Sequence, residues 1–397
     1  MISPQASKPI FCIVQDSLLG AYKMTYGIQT VTKAQFFSLS MVTQLSSQEV
    51  LDRMQHIRRI FKLKNKKVQC FHGKGLISLL LPMDFEYEKT NKVHPDEPTV
   101  RIHRGVLYEG TLDKSCLGAT TNSILHRLYK EYSADVACKF IDEIQFITNQ
   151  WLLEAGFSIG LGDCIVKEEK RESIQDVVKK CYIEAEGIKT TTSHPGIKEA
   201  RIMGALSKAR DVGMKIAKEG LDPDNNLKKT VESGSKGDYF NIAQITGLLG
   251  QQNFNNKRAN LSMSNGKRTL PHFPFEDMPV ELDYESRGFV SSSFGKGLSP
   301  REFYFHMMTG RDGTMSTSLS TATSGYMMRR IVKLTEDMKT QYDSTVRDTS
   351  GAIFQPIYGE TGYDPKNTIK VDGDQQVCDI YNLADKLNLD FERKHKK

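Results

Sequence analysis

The chain has 397 residues, of which 39% are hydrophobic and 26% are charged. This length predicts two or three domains, and this composition excludes both a disordered chain and a membrane-embedded one. The formal net charge of +6 permits a nucleic-acid partner without requiring one. Because the first residues lack the pattern of a secretory signal, we expect an intracellular protein of the cytosol, the nucleus or a particle.

The distribution of cysteines and histidines predicts no metal site. Seven cysteines and nine histidines are scattered along the chain, and no two cysteines have the C-x-x-C spacing. The sequence also contains no H-E-x-x-H, P-loop, G-x-S-x-G or G-x-G-x-x-G motif. We therefore expect reduced thiols, no metal bound by this chain, and an α+β fold with small β-rich and larger helical parts.

The first part of the chain predicts short strands followed by a helical region. The segments VQCFH (68–72), LISLLL (76–81) and TVRIHRGVLYEG (99–110) read as strands, with a polar loop at 92–98. Apolar residues at near-helical spacing then predict helix over 117–157. The only tryptophan, Trp151, lies near its end and is interpreted as a core residue.

The next part predicts an antiparallel helical hairpin. Apolar residues recur every three or four positions on both sides of a break at 194–196. On the first helix they are Ile174, Val178, Cys181, Ala185 and Ile188, and on the second Ile202, Ala205, Ala209, Val212 and Ile216. The charged residues between them are expected to lie on solvated faces.

The segment GSKGDYFN (234–241) predicts a glycine-rich turn before another helix. Glycines allow close backbone approach, free N–H groups at a helix start can face an anion, and Lys236 adds a positive charge. The pattern is not a Walker motif. From the residues alone, a plain structural turn and an anion-binding turn both remain open.

A long helix is predicted from Pro300 to about Tyr342. The sequence SPRE (299–302) is a capping box with proline at the first helical position. Met327, Ile331, Leu334 and Met338 form an apolar seam in its C-terminal half, whereas 316–325 carry almost no large apolar side chain. Such a segment is either a flexible linker or a rod that spans a gap, and the flanking Arg311, Arg329, Arg330 and Lys333 suggest a polyanion beside it.

Taken in order, these motifs resemble the largest subunit of multisubunit DNA-directed RNA polymerase, in its eukaryotic, archaeal and large-DNA-virus form. The resemblance extends over nearly the whole chain. It rests on motifs at 3–5, 8–9, 14–18, 151–153, 156–163, 234–237, 241–244, 250–252, 257–258, 270–273, 286–290, 297–303, 305–308, 310–313, 321–330, 342–347 and 357–362. It implies a pore-like domain over 1–162, a funnel-like hairpin and following block over 163–269, and a bridge helix with the start of a cleft region over 270–397.

The resemblance also implies roles for individual residues. Thr321 and Ala322 would pack against the template base pair at the active position, and Gly325 would give backbone clearance. Tyr326, Arg329 and Arg330 would approach downstream DNA, with guanidinium groups suited to phosphate oxygens. Lys236 would lie near the route of the incoming nucleotide's phosphates.

Two departures from the family pattern qualify this interpretation. Ser316 and Ser320 stand where the family commonly has an acid and a lysine, so any contact those groups supply is in doubt. The sequence also lacks the N-A-D-F-D-G-D loop that holds the catalytic Mg²⁺, and it lacks the trigger loop. Asp372-Gly373-Asp374 only superficially resembles that loop and is interpreted as a surface turn.

The sequence therefore predicts a polymerase piece that is inactive by itself. Its expected partners are a chain with the aspartate loop and its Mg²⁺, the second-largest subunit, a C-terminal largest-subunit piece, template DNA, the RNA–DNA hybrid and nucleoside triphosphates. The expected location is the nucleus, or host cytoplasm or virion if the protein is viral. The alternative hypothesis is a non-catalytic nucleic-acid-binding or structural remnant of a polymerase subunit.

Overall fold

The computed structural model describes residues 2–3, 5–64, 70–91, 97–371 and 374–377, and isolated positions from 380 to 391. The chain forms two compact units. The first comprises Met1–Phe157, Lys229–Lys236 and Asp337–Lys397, and the second comprises Ser158–Lys228 and Gly237–Glu336. No described helix is both long and apolar enough to cross a membrane.

Helices and short antiparallel sheets alternate along the chain, which confirms the α+β class. The elements up to the hairpin are α1 (Gln15–Thr25), α2 (Lys33–Ser40), α3 (Ser47–Leu63), α4 (Gly73–Ser78), β1 (Tyr87–Thr90), β2 (Thr99–His103), β3 (Val106–Glu109), α5 (Lys114–Leu117), α6 (Ile124–Glu131) and α7 (Ala134–Ala155). Those that follow are α8 (Glu168–Thr191), α9 (Pro195–Gly220), α10 (Asn226–Ser233), α11 (Tyr239–Thr246), β4 (Gly250–Gln251), α12 (Val280–Ser286), β5 (Phe289–Val290), α13 (Pro300–Thr335), β6 (Lys339–Thr340), β7 (Val346–Arg347), β8 (Ile353–Gln355), β9 (Ile369–Val371) and β10 (Asp374–Gln376).

The first unit packs α1, α4 and α7 around one apolar core beside the sheet β1-β2-β3. The segment HRGV, which lies within a predicted strand region, closes the β2–β3 hairpin. In this hairpin His103 is opposite Val106. Arg104 and Gly105 both have positive φ (48° and 72°), as a two-residue type I′ turn requires. A Cβ on Gly105 would lie 2.2 Å from the carbonyl oxygen of Pro82, so this position accepts only glycine. Trp151 is buried in the same core, as predicted.

Three predictions in the first unit are wrong in detail. The described residues of the strand predicted over 68–72 form only an isolated bridge, between His72 and Thr30. The run 76–81 was expected as a strand, but α4 begins at Gly73, and the His72 side chain caps it by accepting the Gly75 N–H. A short run that is buried on every side has no periodicity to separate a strand from a helix. The predicted helix over 117–157 is divided, because α6 ends at Glu131 and Ser133 caps a new helix. Residues 68–69, 92–96 and 372–373 of the predicted segments lie outside the described residues.

The second unit is built on the helical hairpin, and this prediction is confirmed. Helices α8 and α9 pack against each other through Ile174, Val178, Cys181 and Ala185 on one side and Ile202, Ala205 and Ala209 on the other. Leu248, Tyr284 and Phe289 complete the core. His194 and Pro195 start α9, where the His194 ring accepts the Ile197 N–H.

Helix α13 belongs to the second unit and begins at the predicted capping box. Ser299 accepts the Glu302 N–H, and the Glu302 carboxylate accepts the Ser299 N–H. The helix ends at Thr335, seven residues before the predicted end, and β6 begins shortly afterwards. Its 36 residues correspond to a rod of about 54 Å.

Candidate nucleic-acid interface

Among the described residues, helix α13 is held through its N-terminal part, up to Asp312. Glu302 and Phe305 are its buried residues, and the Phe305 ring stacks on Phe273 with 6.4 Å between centroids. The Glu302 carboxylate also accepts the backbone N–H of Ser292 at 3.2 Å. Arg301 pairs with Glu285 at 3.0 Å. These contacts attach the helix to the segments around α12 and β5 in its own unit.

Beyond this attachment the helix is exposed on all sides. Every residue from Gly313 to Asp337 is exposed. The apolar seam predicted for the C-terminal half is exposed as well, since Met327, Ile331 and Leu334 are 58%, 50% and 66% exposed. The segment is nevertheless one continuous helix. A large molecular surface that the described residues leave uncovered is thus available to a partner.

The middle of α13 is coated with hydroxyl groups that bond to the helix itself. Thr317 donates to the carbonyl of Gly313 at 2.9 Å and Thr321 to that of Thr317 at 2.7 Å. Ser320 also donates to the Thr317 carbonyl, at 3.1 Å. The further donors are Thr314, Ser318, Thr323 and Ser324. Such back-bonding shields the helix carbonyls and slightly favours bending.

The structure brings most of the predicted site residues onto one side of α13. Ala322, Tyr326, Arg329 and Arg330 follow one another at steps of four and three or four, which places them on neighbouring turns of the same side. The Arg330 guanidinium lies 5.7 Å from the centroid of the Tyr326 ring, in cation–π range. Thr321 and Gly325 flank this strip, and a Cβ on Gly325 would meet nothing within 4 Å. The result is a thin surface that ends in two positive charges.

Lys236 lies elsewhere, in the first unit, where it is exposed in the turn that precedes α11. Asp238 caps α11 by accepting the Asn241 N–H at 3.0 Å, so one of the free donors expected at this helix start is already used. The turn and the following helix are as predicted. A phosphate contact of Lys236 stays a prediction.

One ionic network in the second unit had no signal in the sequence. Arg258 is buried and binds Glu199 of α9 through two guanidinium nitrogens, at 2.6 and 2.8 Å. Arg287 reaches the same carboxylate at 3.3 Å. These partners are 59 and 88 positions apart, and neither spacing nor periodicity relates residues at such separations. The hydrogen bonds from Arg258 lower the pKa of Glu199 despite its partial burial.

The described residues hold no group of three or more His, Cys, Asp or Glu side chains able to bind a metal ion. This part of the chain therefore offers no set of ligands for Mg²⁺.

The second unit thus combines a helical hairpin with a long, exposed helix that carries two adjacent arginines near its C-terminal end. Sequence models of one family match the chain in order: RNA polymerase Rpb1, domain 3 over residues 1–164, domain 4 over 186–290 and domain 5 over 297–380. The chain therefore belongs to the family of largest subunits of DNA-directed RNA polymerase. This confirms the resemblance recognised in the sequence.

Similar proteins come from viruses and from a eukaryote. A probable DNA-directed RNA polymerase II subunit RPB1 homolog of Invertebrate iridescent virus 6 is 46% identical over 99% of this chain. The putative DNA-directed RNA polymerase 008R of Frog virus 3 is 41% identical over 67% of it, and RPB1-B of Trypanosoma brucei brucei is 33% identical over 91%. The chain spans 40% of the length of the first relative and 20% of the other two.

Proposed function

We propose that this chain supplies the pore and funnel through which nucleotides enter an RNA polymerase, and the bridge helix that positions template DNA. The funnel is the α8–α9 hairpin, and the bridge helix is α13. RNA synthesis takes place only in the assembled enzyme, with an aspartate loop on another chain holding Mg²⁺ and with a second-largest subunit present. The expected location is intracellular: the nucleus, or the host cytoplasm or virion if the protein is viral.

The observation that carries the proposal is the exposed strip on α13. A helix that is anchored at one end and is small and polar through its middle suits the crossing of a channel filled by nucleic acid. Thr321 and Ala322 are the residues proposed to face the template base pair, where bulk would block movement of the hybrid. Tyr326, Arg329 and Arg330 are proposed to approach downstream DNA, and Lys236 the nucleotide phosphates.

The first test replaces one arginine in the assembled polymerase. With Arg330→Ala we expect weaker DNA binding and a slope of log K against log salt that is shallower by about 1, because one phosphate contact and its released counterion are lost. Binding is measured by fluorescence anisotropy over a series of salt concentrations. Lys208→Ala is the control, since Lys208 on α9 is already paired with Glu184 at 2.6 Å. An unchanged slope with Arg330→Ala would remove this residue from the DNA contacts.

The alternative of a non-catalytic, nucleic-acid-binding remnant is favoured by one observation, the serines at positions 316 and 320. Isolation of the chain from its native source separates the two hypotheses. A stoichiometric complex that includes a chain with the N-A-D-F-D-G-D loop and that makes RNA supports the polymerase. Recovery with unrelated proteins alone supports the remnant.

A further inference from the structure

The positive charge of the chain is concentrated in one segment of the first unit, which includes most of α3. Residues 53–83 contain eight lysines and arginines and no aspartate or glutamate, a net charge of +8. Because the whole chain has a net charge of +6, all the other residues together carry a net charge of −2. So local an excess on an otherwise slightly acidic chain indicates a partner of opposite charge at this segment.

Three of these cations share the exposed face of α3. Arg58, Arg59 and Lys62 are exposed and lie within about one turn, on the side opposite the buried Ile57 and Phe61. The side chains of Arg59 and Lys62 form no ion pair or hydrogen bond with the residues that the structure describes. Lys62 is four positions from Arg58 and three from Arg59, and like charges at these separations destabilise a helix. A bound polyanion would remove this repulsion.

Arg58 is held in a fixed orientation on this face. Its Nε atom donates to the Cys70 Sγ atom at 3.2 Å, and its guanidinium group lies 5.5 Å from the centroid of the Phe71 ring. Neither of its two terminal nitrogens has a hydrogen-bond partner among the described residues. A guanidinium group that is held in this way can donate to two oxygens of one phosphate.

The turn of the β2–β3 hairpin places a further arginine beside α3. The Nε2 atom of His56 donates to the carbonyl oxygen of Arg104 at 2.8 Å, and the Arg104 side chain is exposed. The acid at this turn, Glu86, is already used, because it accepts the Arg104 N–H at 3.0 Å and pairs with His103 at 2.9 Å. The cations of α3 are therefore not neutralised from this side.

The surroundings of these cations suit a row of phosphates better than an acidic protein. Protein interfaces usually have a continuous apolar centre that contains few lysines. The large apolar side chains exposed on α3 are Leu51 and Leu63, whose positions in the helix are separated by about 18 Å. A nucleic-acid strand carries one negative charge per nucleotide, so neighbouring cations without acids between them can each meet a phosphate and release a counterion.

We propose that Arg58, Arg59 and Lys62, the α3 basic face, bind the phosphate backbone of a nucleic acid without reading its sequence. Arg58 holds one phosphate with its terminal nitrogens, and Arg59 and Lys62 contact the phosphates on either side. This site differs from the strip on α13, because α3 belongs to the first unit and α13 to the second.

The first test measures how strongly a bound polyanion protects Lys62 from acetylation. The full chain is mixed with single-stranded RNA, single-stranded DNA, duplex DNA or poly-glutamate of equal total charge, and acetylation is quantified by mass spectrometry. We expect at least one nucleic acid to slow acetylation of Lys62 at least fivefold, and poly-glutamate to slow it less than twofold. The nucleic acids that protect Lys62 identify the partner as RNA, DNA or both.

Two outcomes of this test would overturn the proposal. Equal protection of Lys62 by poly-glutamate would show that the face is suited to an acidic protein instead. Absence of protection by every nucleic acid would show that the face does not bind phosphates. Lys333 on α13 is read in the same digest, so either result at Lys62 leaves the proposal for α13 to be judged separately.

A pair of double variants tests the named residues. With Arg59→Ala and Lys62→Ala together, we expect weaker binding of single-stranded nucleic acid and a slope of log K against log salt that is shallower by about 1.4, since two phosphate contacts are lost. Both positions are exposed in a helix, where alanine is well tolerated. Binding is measured by fluorescence anisotropy.

The matched control is Lys179→Ala with Lys180→Ala, which removes two adjacent exposed charges from α8 and should leave the slope unchanged. Arg59→Lys with Lys62→Arg keeps both charges and should restore the slope of the unchanged chain. An unchanged slope with the α3 alanine variant, or an equal change with the α8 control, would show that the α3 basic face is not the binding site.

Discussion

His72 and His126 are buried in the first unit, and each ring uses only one of its two nitrogens. The Nδ1 atom of His72 accepts the Gly75 N–H, and that of His126 accepts the Asn122 N–H, both at 3.2 Å. The Nε2 atoms of both rings lack a partner in the structure as described. Burial is the main reason that both pKa values fall to about 4, with Lys74 and Lys130 adding smaller effects. The folded protein therefore holds both rings neutral.

This arrangement predicts that the first unit loses stability in mild acid. The ordinary histidine pKa is about 6.5, so the unfolded chain takes up protons between pH 6.5 and 4 while the folded chain resists them. The stabilisation is complete above pH 6.5 and is lost as the pH falls to 4, by about 3 kcal/mol for each ring. His72→Asn keeps an acceptor at the start of α4 and removes the titrating ring, so its unfolding free energy should fall less steeply.

Urea unfolding followed by Trp151 fluorescence measures this difference, because the only tryptophan lies in the core of the same unit. Unfolding free energies at pH 7 and pH 4.5 are compared. The exposed His272, replaced by Asn, serves as control. Equal losses of stability in His72→Asn and the unchanged chain would show that His72 is not responsible.

Among single residues, those in a regular pattern were predictable and isolated ones were not. The buried residues of α8 and α9 follow a helical period, and the structure buries Ile174, Val178, Ile202 and Ala205 as expected. His72 and Arg258 belong to no such pattern. Their burial depends on residues that are distant in sequence. Arg258, for example, is buried beside Glu199, to which it donates a hydrogen bond.

At the scale of secondary-structure elements, α13 is one continuous helix although some of its residues have low helix propensity. Gly310 and Gly313 lie inside it, and a Cβ on either would meet nothing within 4 Å. Glycine in a helix interior costs about 0.5–1 kcal/mol relative to alanine. No neighbouring atom in the described structure requires glycine at either position. The lower helix stability that these glycines cause therefore makes α13 easier to deform.

Gly313→Ala should therefore stabilise α13. We expect backbone amides at 310–325 to exchange hydrogen about two- to fivefold more slowly, in proportion to the gain in helix stability. Hydrogen exchange read by mass spectrometry measures the change. Gly297→Ala is the contrasting control, because Gly297 has φ +90° and an alanine is strained there. Faster exchange in Gly313→Ala would mean that this glycine has a structural role.

The start of this element was predictable and its end was not. The capping box marks Ser299 as the N-cap with two reciprocal hydrogen bonds. The C-terminus has no glycine or proline signal, and apolar residues at Leu334 and Met338 continue the helical period past Thr335. The chain instead turns into β6, which pairs with β7. This pairing depends on β7, a strand that the helical periodicity of the preceding residues does not reveal.

At the scale of the whole molecule, the first unit is assembled from three separated segments. The residues 229–236 belong to it although their sequence neighbours on both sides belong to the second unit. Sequence motifs lie in order along the chain and do not reveal such an exchange between units. The family was nevertheless recognisable, because ordered motifs over nearly the whole chain carry more information than any one contact.

The exposure of α13 makes a last prediction that compares the chain alone with the assembled polymerase. In the chain alone, Arg329, Arg330 and Lys333 lie on a helix without lateral packing, so local opening costs little and trypsin should cut there first. The lysines of α8 are also exposed, but that helix packs along α9 and should be cut later. In the assembled enzyme, a channel around α13 should slow its cleavage at least tenfold while leaving the order of other cuts unchanged. Mass spectrometry of timed digests identifies the sites. Equal cleavage of α13 in both samples would mean that no partner covers the helix, and the proposal of a bridge across a nucleic-acid channel would then fail.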